Sequence, residues 1–200
     1  MKVYTIYPSG FACNTYAVTE DGENCILIDC AQPRVLVECK KLGLTPRAVL
    51  LTHGHYDHIG GCVALDNSGA DIYCGDGGKE FIFSAANASV FGEPIAPFKI
   101  AASLNDGEKI KLCGLYIEVV ATDGHSTDGV CYIIGDCLFS GDTLFCGGVG
   151  RWDLPTGDAE KLVASVKKLY ALDGDYKVYS GHGGQTTLDN ERKYNQFVRQ

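Results

Sequence analysis

Ala48-Val49-Leu50-Leu51-Thr52-His53-Gly54-His55-Tyr56-Asp57-His58 is the stretch whose reading decides this chain. Its first four residues form an apolar run of strand type, and three histidines and an aspartate follow within a few positions. Imidazole is the commonest ligand for transition metals. A polar surface loop, or a set of rings capping backbone groups, would not need this spacing, so the stretch reads as a strand delivering a metal-binding loop. The chain has five histidines in all. The other two lie in glycine-flanked segments of the same kind, Asp123-Gly124-His125-Ser126 and Ser180-Gly181-His182-Gly183, and Asp142 lies in Ser140-Gly141-Asp142-Thr143. Taken singly, His125 and His182 would be ordinary hydrogen-bonded residues and Asp142 a turn aspartate. Their partnership with the first cluster changes that reading.

Each of these segments follows an apolar run. Working outward, strand-like segments rich in β-branched and aromatic residues occur at Val3–Tyr7, Thr15–Thr19, Cys25–Asp29, Ala48–Leu51 and Asp71–Cys74. Pro33, the spacing of Val35, Leu36, Cys39 and Leu42, and Gly43 mark a helix between the third and fourth strands. Further helices are expected over Gly61–Asp66 and Lys79–Ala86, with an irregular region from Val90 to Pro97. The second half repeats this grammar. Strands are expected at Lys109–Leu112, Ile117–Ala121, Val130–Ile134, Cys137–Ser140 and Lys177–Ser180. A helix should show Leu162, Val163, Val166, Leu169 and Tyr170 on one face, and a last helix should span Leu188–Phe197. Two βα-rich halves with helices outside two packed sheets predict a layered α/β sandwich.

Two hundred residues with 46% hydrophobic and 21% charged content suit one globular domain with a real core. The formal charge of −8 argues against nucleic acid and anionic membranes as partners, and no apolar run of roughly 18 residues offers a membrane span. The N-terminus reads as a strand without a signal-type core, so the expected location is the cytoplasm. Ten cysteines without a Cys-x-x-Cys pair read as small buried side chains rather than a disulfide framework or metal ligands. Tyr132, Tyr179 and Trp152 read as core or strand aromatics. A small molecule is the expected partner, and the sequence leaves the oligomeric state open.

Glycine beside each candidate ligand permits the tight turns that bring side chains to one point. The set His53, His55, Asp57, His58, His125, Asp142 and His182 exceeds what one tetrahedral ion needs. It suits two adjacent ions that share a carboxylate and keep room for water. Without thiolate, an open catalytic site fits better than a closed structural one.

With these residues in place, the chain resembles the metallo-β-lactamase superfamily. His53-Gly54-His55-Tyr56-Asp57-His58 matches its H-x-H-x-D-H signature, and the Gly-His-Ser, Ser-Gly-Asp-Thr-Leu-Phe and Ser-Gly-His-Gly segments follow in the family's order. It is most similar to the glyoxalase II group, the hydroxyacylglutathione hydrolases, and to their short bacterial relatives. Asp142-Thr143-Leu144-Phe145 running into Gly150-Arg151-Trp152-Asp153-Leu154-Pro155 carries that likeness. The resemblance implies a four-layer αββα sandwich with two divalent ions, zinc foremost and iron or manganese as alternatives. It implies that His53, His55 and His125 hold one ion, that Asp57, His58 and His182 hold the other, and that Asp142 bridges them. Asp57 would also position the attacking hydroxide, and Asp29 would support the metal loops from behind without ligating. Arg151 falls where glyoxalase II enzymes carry a basic substrate contact.

The activity implied is hydrolysis of a small thioester such as S-D-lactoylglutathione. Full-length glyoxalase II enzymes add a helical glutathione-binding domain after the last histidine motif. Here the sequence ends at Gln200, and Gly184 stands where those enzymes carry a tyrosine. The expectation is therefore a single hydrolase domain over 1–200 without that helical domain. Three alternatives stand beside thioester hydrolysis. One is a persulfide dioxygenase-like enzyme with one iron on the equivalents of His53, His125 and Asp142. The others are a lactone or β-lactam hydrolase and a metal-binding regulatory module without turnover.

Overall fold

The computed structural model describes residues 1–8, 10 and 12–199. The first half contains β1 (Lys2–Ile6), β2 (Thr15–Thr19), β3 (Asn24–Ile28), α1 (Val35–Lys41), β4 (Thr45–Leu50), α2 (Tyr56–Ile59), α3 (Cys62–Asn67), β5 (Asp71–Gly75), α4 (Gly78–Ile82), α5 (Ala85–Phe91) and β6 (Ala102–Leu104). The second contains β7 (Lys109–Leu112), β8 (Leu115–Ala121), β9 (Val130–Ile134), β10 (Cys137–Gly141), β11 (Leu144–Phe145), β12 (Gly148–Val149), α6 (Ala159–Tyr170), β13 (Lys177–Ser180), β14 (Thr186–Thr187) and α7 (Leu188–Tyr194). One sheet has the order β1-β2-β3-β4-β5-β6 and the other β14-β13-β10-β9-β8-β7.

Alternation along the strands builds the layers, because successive side chains leave a strand on opposite faces. On β3, Ile26 and Ile28 point into the core between the sheets, whereas Cys25 and Leu27 point outward under helices. On β4, Ala48 and Leu50 go inward, Val49 and Leu51 outward. The second sheet answers from the other side with Ile117, Val119, Tyr132, Ile134 and Phe139. Its opposite face, carrying Val120, Cys131, Leu138 and Val178, is covered by Val166, Leu169 and Tyr170 of α6. The result is the expected four-layer αββα sandwich. All ten thiols are free, and only Cys113 and Cys146 are not buried.

Some sequence expectations shift. The helix expected over Lys79–Ala86 breaks in two, because Ser84 takes an extended conformation (ψ 155°) and its hydroxyl accepts from Asn87 N–H, capping a new helix, α5. That helix runs through Val90 to Phe91, where irregular chain was expected, and stops at Gly92 with φ 79°. The closing helix ends at Tyr194 rather than Phe197, since Asn195 Oδ1 takes up the N–H groups of Phe197 and Val198. Val163 leaves the buried face of α6 and is partly exposed. Trp152 is neither core nor strand: it lies half-exposed in the loop between β12 and α6.

Strand direction positions the site. β3 and β4 run parallel in one sheet; in the other, β10 runs parallel to β13, and β8 shares their direction through two antiparallel steps. The chain leaves the C-terminal ends of these five strands at Asp29, Thr52, Thr122, Asp142 and Gly181. Every histidine therefore emerges along one edge of the sandwich.

Candidate metal centre

His53 and His55 follow β4 directly, and the short helix α2 then presents Asp57 and His58. The structure brings these residues together with His125, Asp142 and His182. Side-chain donor atoms of His53, His55 and His125 lie within 4.8 Å of one another, as do those of Asp57, His58 and His182. Asp142 stands between the groups. Its Oδ1 is 3.3 Å from His58 Nε2, and its Oδ2 is 3.6 Å from His125 Nε2 and 3.5 Å from His182 Nε2. Asp57 Oδ2 is 3.1 Å from His182 Nε2.

The rings are aimed from behind. His125 Nδ1 donates to the backbone carbonyl of Arg151 at 2.7 Å, and His58 Nδ1 donates to Asp29 Oδ2 at 2.8 Å. His53 Nδ1 lies 3.2 Å from Thr52 Oγ1, which itself donates to Asp29 Oδ2. For His53 and His125 the partner assigns a tautomer whose Nε2 lone pair faces the centre, and His58 presents the same lone pair once its Nε2 gives up a proton. His55 is turned the other way, with Nδ1 2.9 Å from His125 Nε2. Asp29 itself sits at φ 58°, a conformation non-glycine residues rarely adopt, and also accepts from the Thr52 N–H at 2.8 Å. It ties the end of β3 to that of β4, and its carboxylate lies behind His58 together with the Cys13 thiol, within 4.8 Å of a ring nitrogen.

Burial and charge set the protonation. Burial, helped by neighbouring imidazoles, pushes His53 well below the ordinary histidine range and His55 down to about 3, so both rings are neutral and free to ligate. Burial also pulls His58 towards the neutral form, but Cys13, Asp29 and Asp142 outweigh it and hold the ring well above its ordinary value. Asp57 is likewise opposed by burial, yet its hydrogen bond to His182 and the charges of His58 and His182 keep it ionised. The donor set fits divalent ions on a direct observation. His53 Nε2, His58 Nε2 and Asp142 Oδ1 are buried and meet no hydrogen-bond partner among the described residues. Buried polar atoms are rarely left so, and cations at the focus of these atoms would satisfy them.

Glycine makes the convergence possible. A Cβ at Gly181 would collide with Asp142 Oδ1 and come within 2.7 Å of His58 Cε1, and one at Gly54 would stand 2.5 Å from Ile82 Cγ1. The Gly54 carbonyl accepts from Asn87 Nδ2 at 2.7 Å. On the other side of this peptide lies Asp128, whose buried carboxyl is pushed up to about 6 by burial, offset in part by Ser126 and backbone N–H groups. Asn87 thus holds the loop between His53 and His55 with Asp128 packed against its other side, and Asn14 holds the chain near His182 by donating to the carbonyls of Ser180 and Gly183. Sequence reasoning missed all three. Asp128 reads locally as a turn residue, while Asn14 and Asn87 carry no local signal.

The centre forms the floor of a cavity of about 730 Å³, lined by Ala12, Tyr56, Val90, Phe91, Phe145 and Leu154 besides the polar floor and Arg151. The guanidinium of Arg151 is largely exposed and donates from its Nε and Nη2 edge to Asp153, at 2.7 and 2.8 Å.

A double-sheet sandwich with a histidine and carboxylate centre along its shared strand edge has the build of a metallo-hydrolase. The chain belongs to the metallo-β-lactamase superfamily, whose family model matches residues 8–182. It is 33% identical to the hydroxyacylglutathione hydrolase GloC of Haemophilus influenzae, over 99% of this chain and 98% of that protein. Among solved structures it resembles the BLEG-1 B3 metallo-β-lactamase, with a TM-score of 0.91 at 31% identity, covering 98% of this chain and 99% of that one. It also resembles TTHA1623 in a di-iron-bound form, with a TM-score of 0.85 at 34% identity, covering 98% and 100%.

Proposed function

We propose that this protein is a dinuclear metal-dependent hydrolase acting on thioesters, with S-D-lactoylglutathione as the reference substrate. In this reading His53, His55 and His125 hold one ion, Asp57, His58 and His182 the other, and Asp142 both. The observation that carries it is the set of buried, unpartnered atoms His53 Nε2, His58 Nε2 and Asp142 Oδ1 at one focus. Divalent ions there would polarise the acyl carbonyl and acidify a water molecule towards neutral pH.

The residues supply the rest. Asp29 and the Arg151 carbonyl hold His58 and His125 in the required tautomers. Asp57, ionised and partly open to the cavity, is placed to accept a hydrogen bond from the attacking water. Water adds oxygen to the acyl carbon, the C–S bond breaks, and the sulfur leaves with its electron pair, giving a carboxylic acid and a thiol. A free thiol has a pKa near 8.5, so its thiolate departs without a dedicated general acid.

The test is protein loaded with two equivalents of zinc and assayed against glutathione and non-glutathione thioesters. Hydrolysis that disappears on chelation is expected; no cleavage of any thioester would overturn the reading. Iron is the second metal to try, because a similar protein is described in a di-iron-bound form. An iron-loaded sample that consumed dioxygen with glutathione persulfide would point to the dioxygenase alternative.

A further inference from the structure

The cavity above the centre is unlike a glutathione site. Glutathione presents two carboxylates, and Arg151 is the only lysine or arginine among the described residues lining the cavity. Its Nε and Nη2 edge is taken by Asp153, which sets a carboxylate beside the remaining Nη1 edge. A substrate carboxylate would meet a guanidinium already paired at the exposed rim, with Asp153 repelling the newcomer. The walls are apolar. The rings of Tyr56 and Phe91 lie 5.4 Å apart at 36°, and Phe91 also stands 6.3 Å from the ring of His55. Across the floor, Phe145 meets His182 edge-on at 6.1 Å, with Leu154 beside the same cavity. About 730 Å³ exceeds what a lactoyl group needs and falls within the ordinary range for enclosing a drug-sized ligand.

Building on the hydrolase reading above, we propose that the cavity selects thioesters bearing an uncharged aryl or branched alkyl group, seated on the Tyr56–Phe91 wall, and does not select glutathione carriers. Phe91 ends α5 and lines the cavity partly exposed, so a bound ring would remove apolar surface from solvent.

The experiment compares four thioesters on metal-loaded protein: the phenylacetyl and acetyl thioesters of N-acetylcysteamine, S-benzyl thioacetate and S-D-lactoylglutathione. At least one aryl compound should exceed lactoylglutathione in kcat/KM by about tenfold. Phe91→Ala should lower that value on the order of tenfold while changing the acetyl thioester less than about threefold. A binding arm needs no turnover. By calorimetry on the metal-free protein, the thioether S-benzyl-N-acetylcysteamine should bind more tightly than S-methylglutathione and lose affinity in Phe91→Ala. Lactoylglutathione as the best substrate, or S-methylglutathione as the tighter ligand, would overturn the inference and leave the hydrolase reading standing. Tight thioether binding without cleavage of any thioester would overturn the hydrolase reading and leave the cavity assignment standing.

Discussion

The floor of the cavity and its walls are built by different means. On the floor, His53, His58 and His125 are each fixed by a partner behind the ring: Thr52 and Asp29 hang from the ends of β4 and β3, and the Arg151 carbonyl comes from the loop after β12. The walls come from a seven-residue helix, a two-residue strand and a loop, and meet the cavity mainly through apolar side chains. Rigid strand ends can hold several atoms at one focus, whereas loops and short helices can vary their side chains without disturbing that focus. In the proposed reading, chemistry belongs to the floor and selectivity to the walls.

The comparison breaks most visibly at Asp142. Asp142→Ala should lower thioester hydrolysis at least a hundredfold on every substrate, measured as kcat/KM under saturating zinc. A loss confined to some substrates would make Asp142 part of the wall. Next comes Asp29, which touches the centre only through His58 and Thr52. Asp29→Ala should weaken binding of the more loosely held ion about ten- to hundredfold in a competitive chelator titration. Unchanged affinity would mean that strand geometry alone aims the rings.

Asp128 tests the floor by pH. Burial pushes its carboxyl up to about 6 in the folded protein, above the ordinary aspartate value of about 3.9. The folded state therefore favours the protonated form. That stability is fully present below about pH 4 and lost as the pH rises through 6. In the metal-free protein Asp128→Asn removes up to ~3 kcal/mol of this penalty. The variant should gain on the wild type in urea unfolding at pH 7 and not at pH 4, and parallel profiles at the two pH values would contradict the assignment. The smallest effect is expected at the rim: Arg151→Ala should change kcat/KM for lactoylglutathione less than about threefold, because the guanidinium is solvent-exposed and its charge is paired with Asp153. A larger loss would restore Arg151 as an anion contact.

This division also explains what the sequence could reveal. His53 through His58, His125, Asp142 and His182 were legible because each follows an apolar strand and sits beside glycine, a local signal repeated until it is specific. Asp29, at the end of Ile26-Leu27-Ile28, has no glycine beside it and was legible through the family resemblance. The inward and outward alternation of β3 and β4 made the layers readable as well. Asn14, Asn87 and Asp128 were not, since each acts on residues distant in sequence through contacts that exist only once the sheets and helices pack. Phe91 was misplaced because the Ser84 cap that starts its helix was overlooked. At Arg151 attention went to the side chain, although it is the backbone carbonyl that orients His125.

The proposed floor holds two ions that share Asp142, a reading that native mass spectrometry of the purified protein with metal analysis tests directly. It predicts two divalent ions per chain in the wild type and at most one in Asp142→Ala. A wild type that takes up one ion or none under saturating metal, or an Asp142→Ala variant that still holds two, would contradict it.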